Sequence, residues 1–401
     1  MKRVLIIGGG IGGLALAQGL RRAGVPVTVF ERTVRRTDWL QGYRIHINPH
    51  GSGALRACLD PANWQSFVDT VSKEDAGFAF TTEQMKTLLE FDSAVINPET
   101  DPAKRHHGVS RITLREILLS GMDDVVEYGK TFVGYQENLD GSVTARFADG
   151  TTAVGDLLIG ADGANSRVRA QLLPHAERVD TGVVAIAGKH PLTGLPPELA
   201  SRVNLVLPRG DGNLFTAIWK ADKRTASDGD YALWGYANAA SRFPDLEDRD
   251  LREVVLEKMH GWSPMLRDLI ANSDPATINV VRMRSAALVK PWPTGPVTLM
   301  GDAIHSMTPM AGIGANTALR DADLLRRRLI EVQQGASLTE AVAAYEDEMR
   351  RYSYAAVKLS HRNARQAASG NVLGRLGFRG MLRLVNAVPP LRRGMARSFG
   401  S

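Results

Sequence analysis

The distribution of apolar and polar residues divides this chain into strand-like and helix-like stretches. Val4 to Ile7 is a short, wholly apolar run ending in glycines, the pattern of a buried strand. Residues 13–23 are small and apolar, which suits a helix packed closely on a sheet, and Val27 to Phe30 is a second apolar run closed by Glu31. Strand, tight turn, helix and strand in about thirty residues predict a βαβ unit. Thr113-Leu-Arg-Glu116 reads as a capping box before an apolar helix. Residues 143–147 and 151–154 flank Asp149-Gly150 as a hairpin, and 156–159 read as a further buried strand. Between about 181 and 289 the pattern changes. Strand-like runs at 183–187, 203–207, 214–220, 231–237 and 277–283 alternate with helical stretches at 248–259 and after Ser263-Pro264, so a second, mostly antiparallel sheet is expected. Residues 297–300 form a strand leading into Gly301-Asp302. From Asn316 onward the chain reads helical, with Ser337-Leu-Thr-Glu340 as another capping box.

The length of 401 residues leaves room for two domains or one large composite unit. The single cysteine, Cys58, excludes an internal disulfide and a cysteine-based zinc site, which points to a reducing, cytoplasmic setting. Cys58 itself reads as a small buried hydrophobe. Met1-Lys2-Arg3 and the apolar run behind it imitate a signal peptide. That reading is rejected, because cleavage would remove glycines that belong to a site completed downstream. No run of apolar residues is long enough to span a membrane.

The net charge of +6 is unevenly spread: residues 349–401 hold eleven Lys/Arg and no Asp/Glu. Such a tail can meet nucleic acid or a membrane. Here arginines interleave with Leu373, Leu376, Phe378, Leu382, Leu384 and Val385, and the favoured expectation is an amphipathic helix bracing the acidic remainder. Nucleic acid is not expected as a partner, and the chain is expected as a monomer or homodimer.

Four glycine- and aspartate-rich clusters carry the chemistry. In Gly8-Gly9-Gly10-Ile11-Gly12-Gly13, Gly8 permits the tight turn, Gly10 lets a pyrophosphate approach the backbone, and Gly13 lets helix and strand pack closely. The helix N-terminus then faces the phosphates. Glu31, at the end of the second strand, is placed to accept hydrogen bonds from adenosine ribose hydroxyls. This set binds a dinucleotide without separating FAD from NAD. Gly301-Asp302-Ala303-Ile304-His305 puts a carboxylate at a strand end, suited to the polyol chain of FAD. Pro309-Met-Ala-Gly312-Ile-Gly314-Ala-Asn316 runs into a helix starting near Ala315, whose N–H groups suit the negative charge of a reduced flavin. Gly160-Ala-Asp162-Gly163-Ala-Asn-Ser166-Arg167-Val-Arg169 follows another buried strand, and its Asp-Gly alone is a common turn.

Taken together and in this order, the clusters resemble those of the class A flavoprotein monooxygenases, the para-hydroxybenzoate-hydroxylase type. That group includes tetracycline-inactivating and antibiotic-tailoring hydroxylases. The resemblance implies an α/β fold: a Rossmann-like FAD-binding domain of the GR2 type, an inserted mostly antiparallel substrate sheet, and C-terminal helices. It divides the chain into a discontinuous FAD domain (1–75, 103–180 and 283–336), a substrate domain (76–102 and 181–282) and a helical segment (337–401).

The same resemblance implies that Gly8, Gly10, Ile11, Gly12, Gly13, Glu31, Arg32, Arg44, Arg111, Val126, Asp162, Gly163, Asp302, Gly312, Gly314, Ala315 and Asn316 serve the cofactor. It places Arg44, Pro309, Gly314 and Ala315 at the reacting centre as positioning groups, with no side-chain acid or base assigned. Its chemistry is reduction of FAD by NADPH or NADH, addition of dioxygen at flavin C4a, and delivery of one oxygen atom to the substrate. A role in secondary metabolism or antibiotic modification is expected. Ile304 stands where many members carry alanine, and altered packing is expected there.

Candidate substrate residues are Phe215, Trp219, Trp234, Tyr236, Met307 and Pro309. Alternation places Phe215, Ala217 and Trp219 on one face of their strand, and Ala232, Trp234 and Tyr236 on one face of theirs. Either face could line an aromatic pocket or form packing core. His46 and His50 could exchange protons with substrate, although loop or core roles are the plainer reading. The adjacent pair His106-His107 is read as a surface loop, and no metal site is expected. Alternatives on the same fold are epoxidation, Baeyer–Villiger insertion, halogenation or reduction, but the Trp-x-Trp-x-Ile-Pro signature of flavin halogenases is absent. A different class of reading is a non-catalytic flavin protein that docks through its basic tail.

Overall fold

The structure is a computed structural model that describes residues 3–35, 44–71, 77–220 and 230–399. Gly42 and Tyr43, which precede Arg44, lie outside these residues.

The apolar run Val4–Ile7 is the central strand of a five-stranded parallel sheet. Its neighbours are Leu157–Gly160 and Val27–Phe30, with Val297–Leu299 and Val126–Glu127 at the edges. Parallel strands covered on both faces read as continuous apolar runs, and every residue of Val4–Ile7 and Leu157–Gly160 is buried. The helix Ile11–Arg22 packs against this sheet and against the long helix Gly314–Gln333.

A second sheet has seven strands in the order Asn279–Ala286, Arg178–Pro191, Tyr231–Ala239, Asn213–Trp219, Arg202–Val206, Gly77–Thr81 and Thr87–Phe91. All pairs are antiparallel except Arg202–Val206 with Gly77–Thr81. The last two strands add residues from far earlier in the chain. One face of this sheet is sealed by the helices Leu251–Lys258 and Pro264–Ala271 over a core that includes Trp234, Tyr236, Val255 and Leu266. The other face is open to the parallel-sheet unit.

The helix Leu338–Ala368 spans both units. Tyr345 Oη donates to the carbonyl of Leu299 (3.0 Å), while Ala364 packs among Val183, Ala185, Ala237 and Met283 of the second sheet. Ser337 caps it, accepting from Glu340 N as its sequence predicts. The other predicted box is corrected: the helix Arg111–Leu119 starts earlier, with Ser110 as its cap and Thr113 inside the first turn. Ser110 ends the strand His107–Ser110, so the chain turns straight from strand into helix. Cys58 is fully buried against Gly19, and burial followed by Asp323 pushes its thiol up to about 12, so it stays protonated and inert.

Candidate active site

The glycine cluster shows why those positions lack side chains. Gly8 has φ +113°, and a Cβ there would meet Ala161 O at 2.4 Å. At Gly13 a Cβ would meet Gly8 O at 2.4 Å. A Cβ on Gly10 meets no atom of the described residues within 4 Å, because that position faces a large cavity. Two glycines are thus required by the turn, while the third keeps space clear at the N-terminus of the helix Ile11–Arg22.

The cavity has a volume of about 1770 Å³ and runs from this glycine floor to the open face of the second sheet. Its cradle end gathers Gly8 to Gly13, Glu31, Arg32, Arg44, Arg111, Asp162, Gly163 and Asp302, then Gly312, Gly314 and Ala315. The fit to FAD can be tested on individual atoms. Glu31 is buried, and its two oxygens accept from Gly9 N (2.8 Å) and Thr33 N (2.9 Å). An ionised carboxylate has about four lone-pair sites, so these bonds orient Glu31 and leave capacity for ribose hydroxyls. Asp162 Oδ2 accepts from Arg167 N (2.7 Å), while its Oδ1 is buried with no hydrogen-bond partner. Asp162 borders the cavity, and among the described residues this oxygen has no donor, so a cofactor hydroxyl would suit it. Gly312 adopts the left-handed conformation, and no side chain caps the helix Gly314–Gln333, so its first N–H groups face the cavity. The residues present therefore fit FAD.

Not every expected cofactor residue borders the cavity. Val126 is buried in the edge strand of the parallel sheet. The Asn316 amide bridges elements instead: Nδ2 donates to His46 O (2.8 Å) and Oδ1 accepts from Asn48 N (2.8 Å). It thereby ties the strand Arg44–Ile47 to the helix Gly314–Gln333.

Arg44 enters the cavity from that strand. Burial lowers its pKa, and its backbone N–H donates to Tyr231 Oη (2.9 Å). The guanidinium lies over Gly108, where a Cβ would meet Nε at 2.6 Å. Gly108→Ala is expected to push this charge aside and lower kcat/KM by about tenfold, roughly 1.4 kcal/mol, with FAD content unchanged. Steady-state kinetics beside flavin absorbance check it.

His46 and His106 were not grouped by sequence reasoning. His46 Nε2 and His106 Nδ1 are 2.9 Å apart and the rings stack. Burial, then repulsion by Arg44, His106 and His107, pushes the His46 pKa down to about 3, so its ring is neutral. The expected His106-His107 surface loop is corrected: both residues are buried, since the strand His107–Ser110 pairs with Arg44–Ile47 and carries them inward. Only that pairing, 60 residues apart in sequence, could have revealed the cluster.

The far end of the cavity is an apolar chamber lined by Phe78, Phe80, Phe91, Leu205, Phe215 and Leu233. Met307 and Pro309 border the cavity from the loop before Gly312. The alternation question resolves through strand register. Phe215 pairs with Gly235, and Thr216 with Trp234, so Phe215 and Trp234 point to opposite faces. Trp234 and Tyr236 are fully buried in the core beneath the sealing helices, and Trp234 Nε1 donates to Ser273 Oγ (2.7 Å), although Trp234 also borders the cavity from its strand. Trp219 is buried and does not border the cavity. Gly235 and Ala237, which do, are small and leave the chamber open. Phe78 and Phe80 were missed, although their i, i+2 spacing is a strand-face signal.

Comparisons with known proteins agree with this geometry. Residues 1–360 match the protein family described as "FAD binding domain". The chain is 30% identical over 367 residues to the dual O-methyltransferase/FAD-dependent monooxygenase elcB of Phaeosphaeria nodorum, covering 80% of this chain and 39% of that protein. It spans between 39% and 44% of the length of the first three curated relatives, all proteins of that dual kind. It is also 30% identical over 385 residues to the 6-hydroxynicotinate 3-monooxygenase of Pseudomonas fluorescens, covering 90% of this chain and 91% of that one. Among solved structures, a candidate FAD-containing monooxygenase from Photorhabdus luminescens superposes with a TM-score of 0.84 at 37% identity, covering 92% of this chain and 99% of that one.

Proposed function

This chain belongs to the FAD-binding-domain family, and on that footing we propose that it is a single-component monooxygenase. In this reading it takes electrons from NADPH or NADH and hydroxylates an aromatic or polycyclic, largely apolar small molecule. The observation that carries the reading is the single cavity joining the cofactor cradle to a chamber of Phe78, Phe80, Phe91, Leu205 and Phe215. Relatives named 6-hydroxynicotinate 3-monooxygenase and FAD-dependent urate hydroxylase support a small ring compound as substrate.

Bound FAD supplies reduction by the nicotinamide and activation of dioxygen. The protein's part is binding, charge and exclusion of water. Gly8, Gly10 and Gly13 bring backbone and helix dipole to the pyrophosphate. Glu31, Asp162 and Asp302 accept hydroxyl protons. Arg44, Arg111 and the N–H groups of Gly314 and Ala315 supply positive potential where the reduced cofactor is anionic. Asp302 supports the charge on Arg111, against its burial. The phenylalanine walls keep the chamber poor in water, which limits unproductive release of peroxide. The His46–His106 hydrogen bond holds a proton between two rings at the cavity wall. With one dinucleotide fingerprint in the sequence, the nicotinamide has no βαβ site of its own and visits transiently.

The test is a panel of aromatic and polycyclic compounds against the FAD-loaded protein. At least one should accelerate NADPH oxidation and gain one atom of oxygen from labelled dioxygen. Turnover that proceeds unchanged without dioxygen, or yields only peroxide across the panel, overturns the proposal.

A further inference from the structure

The helix Val372–Ala387 carries a second apolar face besides the one it packs inward. Two of its arginines also point inward. Arg379 is buried and pairs with Glu83 at 2.8 Å, while Arg375 donates to Gly212 O (2.9 Å) and Asn213 Oδ1 (3.0 Å). Its leucines face outward instead: Leu373 is 82% exposed and Leu384 59%, with Val372, Leu376 and Met381 beside them. Of the predicted apolar side only Leu382 and Val385 are buried. The tail braces the second sheet through Leu382 and Val385, which pack with Phe80, Leu88, Leu89 and Phe91, and through Arg375 and Arg379, while the remaining apolar stripe is left outside.

We propose that this face is a docking surface for an anionic lipid bilayer. Two observations choose that occupant. First, Arg383 on this helix and Arg393 on the next are both exposed, and residues 349–401 contain no carboxylate side chain to answer them. A second copy meeting this face across a two-fold axis would set those arginines against one another. Anionic headgroups meet them favourably while acyl chains receive the leucines. Second, the same helix walls the chamber: Phe378 borders the cavity. The apolar interior and the apolar outer face therefore share one helix. No described helix is long and apolar enough to cross a membrane, so the contact is peripheral.

Flotation of the FAD-loaded full chain with phosphatidylcholine vesicles, with and without phosphatidylglycerol, tests this. Binding is expected only with the anionic lipid, falling as salt rises. The double substitution Leu373→Glu/Leu384→Glu should weaken it by at least about tenfold without altering flavin content or Tm. Arg383→Glu/Arg393→Glu should weaken it as well. Absence of flotation overturns the proposal. So does binding indifferent to these substitutions, or a concentration-dependent dimer that Leu373→Glu/Leu384→Glu dissolves while no vesicle binding is seen.

Discussion

Gly10→Val is expected to leave the fold standing and to strip the protein of FAD. The backbone at Gly10 is extended (φ −78°, ψ 176°), a conformation any residue adopts, and a new Cβ would touch no atom of the described residues. The structural cost is that of a poor helix cap, about 1 kcal/mol. The isopropyl group would instead stand in the cavity where the pyrophosphate meets the helix N-terminus. We expect FAD affinity to fall at least 100-fold, roughly 2.7 kcal/mol. Flavin absorbance after desalting, with circular dichroism on the same sample, reads both halves of the expectation. Gly8→Val makes the contrast: its positive φ and the 2.4 Å approach to Ala161 O should unfold the turn itself. A Gly10→Val protein that keeps stoichiometric FAD would place the phosphates elsewhere.

Asp321→Ala is expected to give the largest loss of stability. Asp321 is fully buried beneath the Gly301-Asp302 turn. Its Oδ2 accepts from Gly301 N (2.7 Å) and pairs with His305 Nε2 (2.6 Å), and Oδ1 accepts from Tyr352 Oη. Burial alone would lower the His305 pKa, but Asp321, by charge and hydrogen bond, raises it above the ordinary value. Removing one partner of such a buried pair costs about 3–5 kcal/mol. The pH dependence has a definite sign. A group whose pKa is raised on folding contributes in full below its unfolded value, about 6.5 for histidine, and loses the contribution as pH climbs through the folded value. The Tm gap between wild type and Asp321→Ala should therefore be widest in mild acid and narrow toward alkaline pH. A gap that widens with pH would count against a protonated His305.

The features legible in the sequence are those fixed by local constraint. Val4–Ile7, the glycines after it and Glu31 declare the parallel sheet and its cofactor edge, because a tight turn, a close packing and a carboxylate each demand one residue type. What stayed hidden depends on partners distant in the chain. Alternation along Tyr231–Ala239 separates two faces without saying which is inside, and a sheet buried on one side by helices and open to a chamber on the other makes both faces apolar. Only the pairing of Thr216 with Trp234 decides it. The His46–His106 pair and the inward arginines of the helix Val372–Ala387 were hidden for the same reason. Glu83 and Gly212, which draw those arginines in, belong to other parts of the chain.

The cavity draws its floor from Gly8–Gly13 and its opposite walls from Gly312–Ala315 and Phe378. During synthesis, the glycine floor of the cofactor seat waits for the far later Gly312–Ala315 segment to emerge. Contacts so distant in sequence form slowly, so bound flavin colour doubles as a readout of completed assembly. Cofactor-starved expression should leave a population that proteases cut between the two sheets, and supplying FAD during growth should rescue yield more effectively than supplying it after lysis.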